Sequence, residues 1–419
     1  MSPVLRILVV SQYFWPENFR VNDLVKEWVQ RGHTVTVLTG VPNYPAGKVF
    51  NAYRQQPTAF TEYEGAKVVR VPMLSRGTGG LHLILNYLSF VVGACIWGPW
   101  RLRSLQADVV FVFGLSPVTV GLPALLMGRL KKAPVVFWTL DLWPETLAAI
   151  GVVKSPRVLE LVGHLVSFIY NRCTLVLGQS KSFLGSITKY CTDSQKIRYF
   201  PSWAEDVYTE KVQPAAEVPV LAEVFNVVFA GNIGEAQDMP SVLDAAERLK
   251  NNARVRWIIV GDGRKTDWLQ AEVLRRGLQD RVLLAGRLPV ERMPSFYAHA
   301  DALLVSLKRD PVFSMTIPGK VQSYLMAGIP LVGMLDGEGA AVIRDANAGL
   351  ASDAGDGAGL ASAVLALAAM PHEQRQQLGQ NGRRYAQKEF DRAQLMDRLE
   401  ALLGEAIAKY QAELKRQQI

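Results

Sequence analysis

Twelve short apolar runs, rich in valine, isoleucine and leucine, recur along this chain of 419 residues and alternate with stretches of helical periodicity. Such runs fit strands buried on both faces, which is what a parallel sheet covered by helices requires. Seven lie in the first half: RILVVSQ from Arg6, TVTVLTG from Thr34, KVVRVP from Lys67, DVVFVFG from Asp108, PVVFWTL from Pro134, TLVLGQS from Thr174 and KIRYFPS from Lys196. Five follow: NVVFAGN from Asn226, VRWIIVGDG from Val255, RVLLAGR from Arg281, DALLVSL from Asp301 and PLVGML from Pro330. Between the sets lies a polar, proline-containing stretch, Glu205–Val224, which reads as a linker. The pattern predicts an α/β protein with two doubly wound, Rossmann-like domains, 1–203 and 204–389, and a helical tail, 390–419. Ligands of such sheets bind beyond the carboxyl ends of the strands. The site is therefore expected in the loops after these runs, on the walls of a cleft between the domains.

A hydrophobic share of 49% and a charged share of 20% are those of a globular chain. The net charge of +8 and pI near 9.3 suit an anionic ligand, an anionic membrane surface or nucleic acid, and equally a merely basic soluble protein. Three cysteines, Cys95, Cys173 and Cys191, form no CxxC pair and fit a reducing compartment. The opening, MSPVLRILVV, reads as a first strand rather than a signal peptide. Leu81–Trp100 carries no Asp, Glu, Lys or Arg and has the length to span a bilayer. His82, Asn86 and Ser89 interrupt it, Pro99 is expected to break it, and Arg101 and Arg103 follow. A buried helix is the simplest reading; an interfacial helix and a spanning helix are the others.

Several chemistries lack their motifs. No G-x-x-x-x-G-K-[ST] occurs, Gly261-Asp262-Gly263 lacks the third glycine of a dinucleotide fingerprint, and Gly178–Ser182 lacks the second glycine of a nucleophile elbow. The five histidines have no metal-ligand spacing, and there is no Asp-x-Asp. What remains is metal-free binding of phosphates by backbone N–H groups at helix N-termini, aided by Lys or Arg, with no metal or other cofactor expected.

The segments Tyr13–Arg20, Arg31–Gly40, Pro42–Pro45, Asp141–Glu145, Gly231–Gly234 with Ala236-Gln237, Val260–Gly263, Thr316–Tyr324 and Asp336–Gly339 run in order over nearly the whole chain. Together they resemble the WbuB-like branch of the family-four retaining glycosyltransferases. The resemblance implies a GT-B fold, its C-terminal helix crossing back to the first domain, whose C-terminal domain binds a nucleotide-sugar donor and whose N-terminal domain binds the acceptor. It implies bacterial O-antigen, capsule or exopolysaccharide assembly, with a UDP-linked, often N-acetylated deoxysugar as donor. The acceptor would be a polyprenyl-diphosphate-linked glycan, the place of work the cytoplasmic face of the inner membrane, and no nucleic acid is involved. The chain departs from the wider family at three places. The loop Gly231–Gln237 has neither of the family's Arg and Lys, Met315 and Ser323 stand where the wider family has glutamates, and the usual histidine is missing from Phe137–Asp141.

Within these motifs Lys320, after Thr316-Ile317-Pro318-Gly319, stands at a helix start suited to a diphosphate, and Ser314, Thr316 and Gly319 offer hydroxyl or N–H donors beside it. Asn232 and Gly234, with Gln237, and Gly261 and Gly263, with Arg264, form loops that let a nucleotide approach the backbone. Arg287 is expected near the base, and Gly337 and Glu338, with Asp310, near the sugar. In the first domain Glu17 and Asp141 are candidate catalytic carboxylates, Asp141 as a general base or as a stabiliser of positive charge on the sugar ring, and Asn18, Arg20 and Tyr44 are candidate acceptor contacts, Arg20 equally one for a donor phosphate. Each has a plainer reading: Asp141 as a helix cap, Glu338 and likewise Asp310 as helix-start acids, the glycines as turns and the cations as solvated side chains. Two rival functions share the fold: a UDP-sugar 2-epimerase, and a catalytically inactive glycan-binding subunit.

Overall fold

The computed structural model describes residues 3–417 apart from residues 78, 150, 152, 154, 206–211 and 253. The chain divides into two units: Met1–Phe200 with Asp397–Ile419, and Pro201–Met396.

The first unit holds an eight-stranded sheet. Its strands are β1 (Arg6–Val10), β2 (Thr34–Gly40), β3 (Glu62–Tyr63), β4 (Ala66–Val71), β5 (Val109–Gly114), β6 (Val135–Thr139), β7 (Leu175–Gly178) and β8 (Ile197–Tyr199). The order is β3-β4-β2-β1-β5-β6-β7-β8, parallel throughout except for β3, which pairs antiparallel with β4. All six residues of β5, VVFVFG, are buried, which is why the sequence shows apolar runs rather than alternation. The strand order reverses between β1 and β5, and the loops after these two strands border the switch point where such sheets bind ligands.

The second unit repeats the plan with β9 (Phe225–Ala230), β10 (Val255–Val260), β11 (Val282–Gly286), β12 (Ala302–Ser306), β13 (Leu331–Met334) and β14 (Gly349–Ser352), in the order β11-β10-β9-β12-β13-β14, all parallel. Alternate residues feed two cores. Val228, Ile258, Leu303 and Val305 face Tyr324 and Leu325, while Val227, Trp257, Ile259 and Leu304 face Val242, Leu269 and Leu360. The switch point here lies between β9 and β12. Each apolar run contains a strand; the edge strands β3 and β14 were not among the runs, because β3 is two polar-flanked residues and β14, GLAS, is only half-buried and has one large apolar side chain.

Three expectations are corrected. The expected linker is not a free connector. Ala215 and Val218 are buried in the second unit's core, Ala215 N donates to Ser295 O at 2.9 Å, and Pro219 O accepts from Arg256 Nη1 at 2.8 Å. Small apolar residues between the prolines give this strap something to bury; residues 206–211 lie outside the described residues. Phe390, the first residue of the expected tail, is buried in the second core. The helix Arg392–Gln417 joins the first unit only from Asp397, where Arg31 pairs with Asp397 and with Glu400 (3.2 Å), His33 Nε2 lies 3.2 Å from Glu400, and Arg398 donates to Tyr199 O at 2.8 Å. Pro99 does not end the apolar segment: the helix Gly80–Arg101 runs two residues beyond it.

Candidate active site

In the first unit the loop after β1 is organised around Glu17. Its carboxylate accepts from Asn43 N and Tyr44 N at 2.7 Å each and from Phe14 N at 3.1 Å, so it ties the loop after β2 to its own. Asn22, in the helix Arg20–Gln30, donates to Glu17 O and accepts from Trp15 N, completing the turn. Burial pushes the Glu17 acid up to about 7 against the pull of the three N–H donors. The expected catalytic role for Glu17 is therefore corrected to a positioning one: both oxygens serve the backbone. Glu17→Gln turns an amide NH₂ toward a backbone donor, and it should destabilise the first unit by about 1–3 kcal/mol in denaturant unfolding. Unfolding unchanged from wild type would refute the tie.

Tyr44 is held between aromatic neighbours, its ring centroid 5.0 Å from Phe19 and 5.6 Å from Tyr13, with the Arg76 guanidinium 5.3 Å above it. Asn18 is exposed and Arg20 partly so. Behind them Asn86, fully buried, accepts from Gln12 Nε2 at 2.8 Å and Tyr13 Oη at 3.3 Å. Asp141, after β6, accepts from Ser116 N at 3.0 Å, and Trp143 Nε1 donates to Ser116 Oγ at 2.9 Å, so the loops after β5 and β6 are tied together. Burial raises the Asp141 carboxyl above its usual range, against the Ser116 hydrogen bonds. Four cis X–Pro bonds, ending at Pro16, Pro45, Pro117 and Pro144, lie in the loops after β1, β2, β5 and β6.

In the second unit the residues expected to bind donor lie in the loops after β9 to β13, and several touch. Lys320 begins the helix Gly319–Ala327, whose Tyr324 hydroxyl, one turn on, bonds both Ala230 N (2.9 Å) and Ala230 O (3.1 Å) at the end of β9. This fixes the Lys320 amine 3.5 Å from the centre of the Phe229 ring. A Cβ on Gly231, whose φ is +135°, would lie 2.6 Å from Lys320 Cε, so the lysine stem runs along a groove that only glycine leaves open. Among the described residues no carboxylate pairs with this amine, and burial lowers it to about 7. Lys265 and Lys308, by contrast, both face Glu235, at 2.8 and 3.7 Å.

Around Lys320 the loops interlock. Gln237 Oε1 accepts from Gly234 N at 3.1 Å and Asn232 Nδ2 at 3.3 Å. Gly263 packs so closely on the Asn232–Ile233 loop that a Cβ would meet Ile233 O at 2.3 Å. At Gly261 a Cβ would lie 1.9 Å from Gly231 O with φ at +140°. Gly261→Ala should destabilise the second unit by about 3 kcal/mol or more, read from urea unfolding; a wild-type midpoint would refute the close packing. Beside these turns Ile233, Gly261, Thr266, Leu269, Leu284 and Gly286 border a cavity of about 200 Å³.

Other expected donor contacts fare differently. The hydroxyls of Ser314 and Thr316 donate to local carbonyls, Pro311 O and Val312 O, so their expected role as free hydroxyl donors is corrected. Asp310 caps the turn Pro311–Met315 by accepting from Val312 N at 2.8 Å. Gly337 lies against Ser314 O, and Glu338 stands in the first turn of the helix Gly337–Asp345. Arg264 and Arg287 are exposed at the rim. Two features escaped the sequence. Phe229 shows only as a strand residue, and Glu205 hydrogen-bonds the Ser323 hydroxyl, so a carboxylate from a distant segment reaches a position where the helix itself carries none.

The model described as Glycosyl transferase 4-like domain matches residues 18–203, and that described as Glycosyl transferases group 1 matches residues 224–370. A protein of Escherichia coli K12 described as the colanic acid biosynthesis glycosyl transferase WcaI is 23% identical over 352 residues, 77% of this chain and 82% of its own. WbjE of Pseudomonas aeruginosa, described as a glycosyltransferase, is 25% identical over 253 residues, 58% of this chain and 60% of its own. Anabaena HepE, solved with UDP and glucose, superposes with a TM-score of 0.69 at 15% identity, over 96% of this chain and 99% of its own. WaaG, described as a glycosyltransferase involved in lipopolysaccharide biosynthesis, does so with 0.64 at 14% identity, over 95% and 99%. With transferase domains matched in order along both halves and two parallel Rossmann-like sheets, the chain is a glycosyltransferase of the GT-B fold.

Proposed function

We propose that the protein transfers a sugar, with retention of configuration, from a UDP-sugar to a polyprenyl-diphosphate-linked glycan during assembly of a bacterial surface polysaccharide. It would work at the cytoplasmic face of the inner membrane and without a metal. The observation that carries the donor half is Lys320: an amine with no carboxylate partner among the described residues, over an aromatic ring, beside three interlocking glycine turns. A diphosphate supplies the missing negative charge, and the backbone N–H groups of the helix start add to it. The adjoining cavity of about 200 Å³ is suited to the nucleobase. WcaI's colanic acid description, WaaG's lipopolysaccharide description and the UDP bound to HepE support the choice of pathway and nucleotide. The WbuB-like motifs favour an N-acetylated deoxysugar.

The chemistry asked of the chain is stabilisation of the leaving diphosphate by Lys320 and alignment of the acceptor hydroxyl by the loops around Glu17, Tyr44 and Asp141. The test is nucleotide release from UDP-, GDP- and dTDP-sugars, with membrane extract as the source of acceptor. UDP release that needs the extract, with label entering lipid, is expected. An epimer formed without acceptor, or tight UDP binding with no turnover on any donor, would overturn the reading in favour of an epimerase or an inactive subunit.

A further inference from the structure

The helix Gly80–Arg101 has two apolar faces and only one of them is covered. Leu83, Asn86, Phe90 and Ala94 are buried in the first unit, and Gly93 sits so close to the chain below that a Cβ would lie 2.2 Å from Pro72 O. On the opposite side Ile84, Leu88, Val92, Ile96 and Trp100 repeat every fourth residue and are 42, 51, 57, 61 and 58% exposed. At about 1.5 Å per residue the stripe is about 24 Å long. Leu85 and Trp97 widen it, and Leu74, whose N–H donates to Ser89 Oγ, adds a further exposed leucine. An exposed helix face of a soluble protein is ordinarily polar; one this long and free of charge marks a binding surface.

The charges around the stripe identify what covers it. From Gly65 to Ala107 the chain has no Asp or Glu, and besides the buried Arg70 it has four cations, Lys67, Arg76, Arg101 and Arg103. Arg101 and Arg103 stand at the carboxyl end of the stripe, each guanidinium 5.8 Å from the ring of Trp97 and Trp100 respectively. Indole rings beside arginines, at the end of an apolar stripe, are the arrangement that settles between headgroups and acyl chains. We propose that this face of the helix lies in the plane of an anionic phospholipid surface, with Ile84 to Trp100 in the acyl boundary and Arg101 and Arg103 among the phosphates. The helix does not span the bilayer, because its other face is part of the unit's core. The proposal deepens the reading of a lipid-linked acceptor, since it brings the loops of the first unit to the surface where such an acceptor resides.

The test is sedimentation of the full-length protein with phosphatidylcholine vesicles with and without phosphatidylglycerol. The wild type is expected to sediment with the anionic vesicles and only weakly with the neutral ones. Arg101→Glu with Arg103→Glu should weaken that partition at least thirty-fold, about what two cations contribute at an anionic surface. Leu88→Glu with Ile96→Glu should abolish it while thermal unfolding and UDP binding stay as in wild type, because these positions face solvent. Wild type remaining in the supernatant with both vesicle types, or the leucine–isoleucine variant sedimenting like wild type, would overturn the proposal. So would a vesicle-free dimer that the same variant disperses. A short-chain, water-soluble acceptor analogue separates the two readings: turnover on it tests the transferase whether or not vesicles bind.

Discussion

Lys320→Ala is expected to lower kcat/KM by about a thousandfold, the scale of removing one preorganised donor from a developing anion. Lys320→Arg should fail nearly as badly, since the stem passes where a Gly231 Cβ would lie 2.6 Å from its Cε, and a planar guanidinium does not follow that path. The same environment sets a pH signature. Burial holds the amine at about 7 in the ligand-free protein. A bound diphosphate restores the charged form, so binding takes up a proton above pH 7. UDP affinity should then fall as pH rises from 7 to 9, by up to about tenfold per unit. A calorimetric titration in two buffers of different ionisation enthalpy reads the proton directly. Stability moves the other way. The unfolded chain, with lysine near 10.4, binds more protons than the folded one between pH 7 and 10. The fold is therefore penalised most at pH 7 and below, and the penalty fades as pH rises through 10. Lys320→Met should raise the melting temperature of the ligand-free protein at pH 6–7, and the gain should shrink toward pH 10. A variant with wild-type kcat/KM, or a lysine whose replacement lowers the melting temperature at pH 7, would remove Lys320 from the site.

Strand order and site differ in how far the sequence reveals them. Parallel strands buried on both faces must be apolar at nearly every position, so β5 and β10 are visible as runs whatever surrounds them. Loops at the strand ends carry no such constraint, and there residue type alone is ambiguous. Lys320 could be read from its place at a helix start after proline, but the isolation of its amine depends on Phe229, ninety-one positions earlier, and on the Tyr324 bond that seats the helix. Glu17 illustrates the converse. A carboxylate in the first strand-to-helix loop suggested chemistry, and only the three N–H donors of Phe14, Asn43 and Tyr44 reveal that its oxygens are engaged. The strap at Ala215 and Val218 escaped because prolines and charges masked two small buried side chains. Glu205 escaped because its partner, Ser323, is 118 positions away and a serine gives no sign that a carboxylate will arrive.

Asp141→Asn is the variant that separates chemistry from architecture in the first unit. The carboxylate accepts from Ser116 N, and an amide oxygen can take the same hydrogen bond, while Trp143 keeps its own bond to Ser116 Oγ. The fold should therefore change by no more than about 1 kcal/mol. As a general base, however, the amide is inert, and kcat should fall by about two to four orders of magnitude. Burial raises the Asp141 carboxyl, and the ionised form is the one that accepts a proton. Wild-type kcat/KM should accordingly fall as pH drops through that raised value, with a slope of one proton, and the Asp141→Asn profile should lose this acidic limb. Ser116→Ala supplies the contrast. It removes the hydroxyl that Trp143 Nε1 reaches and that also holds the Asp141 carboxyl down, but leaves the backbone donor to Asp141, so it should move the limb to higher pH and keep most of kcat. If Asp141→Asn instead retains wild-type kcat while its melting temperature falls, the residue is the knot between the β5 and β6 loops and the acceptor proton leaves by another route, with the leaving diphosphate oxygen as the base that remains.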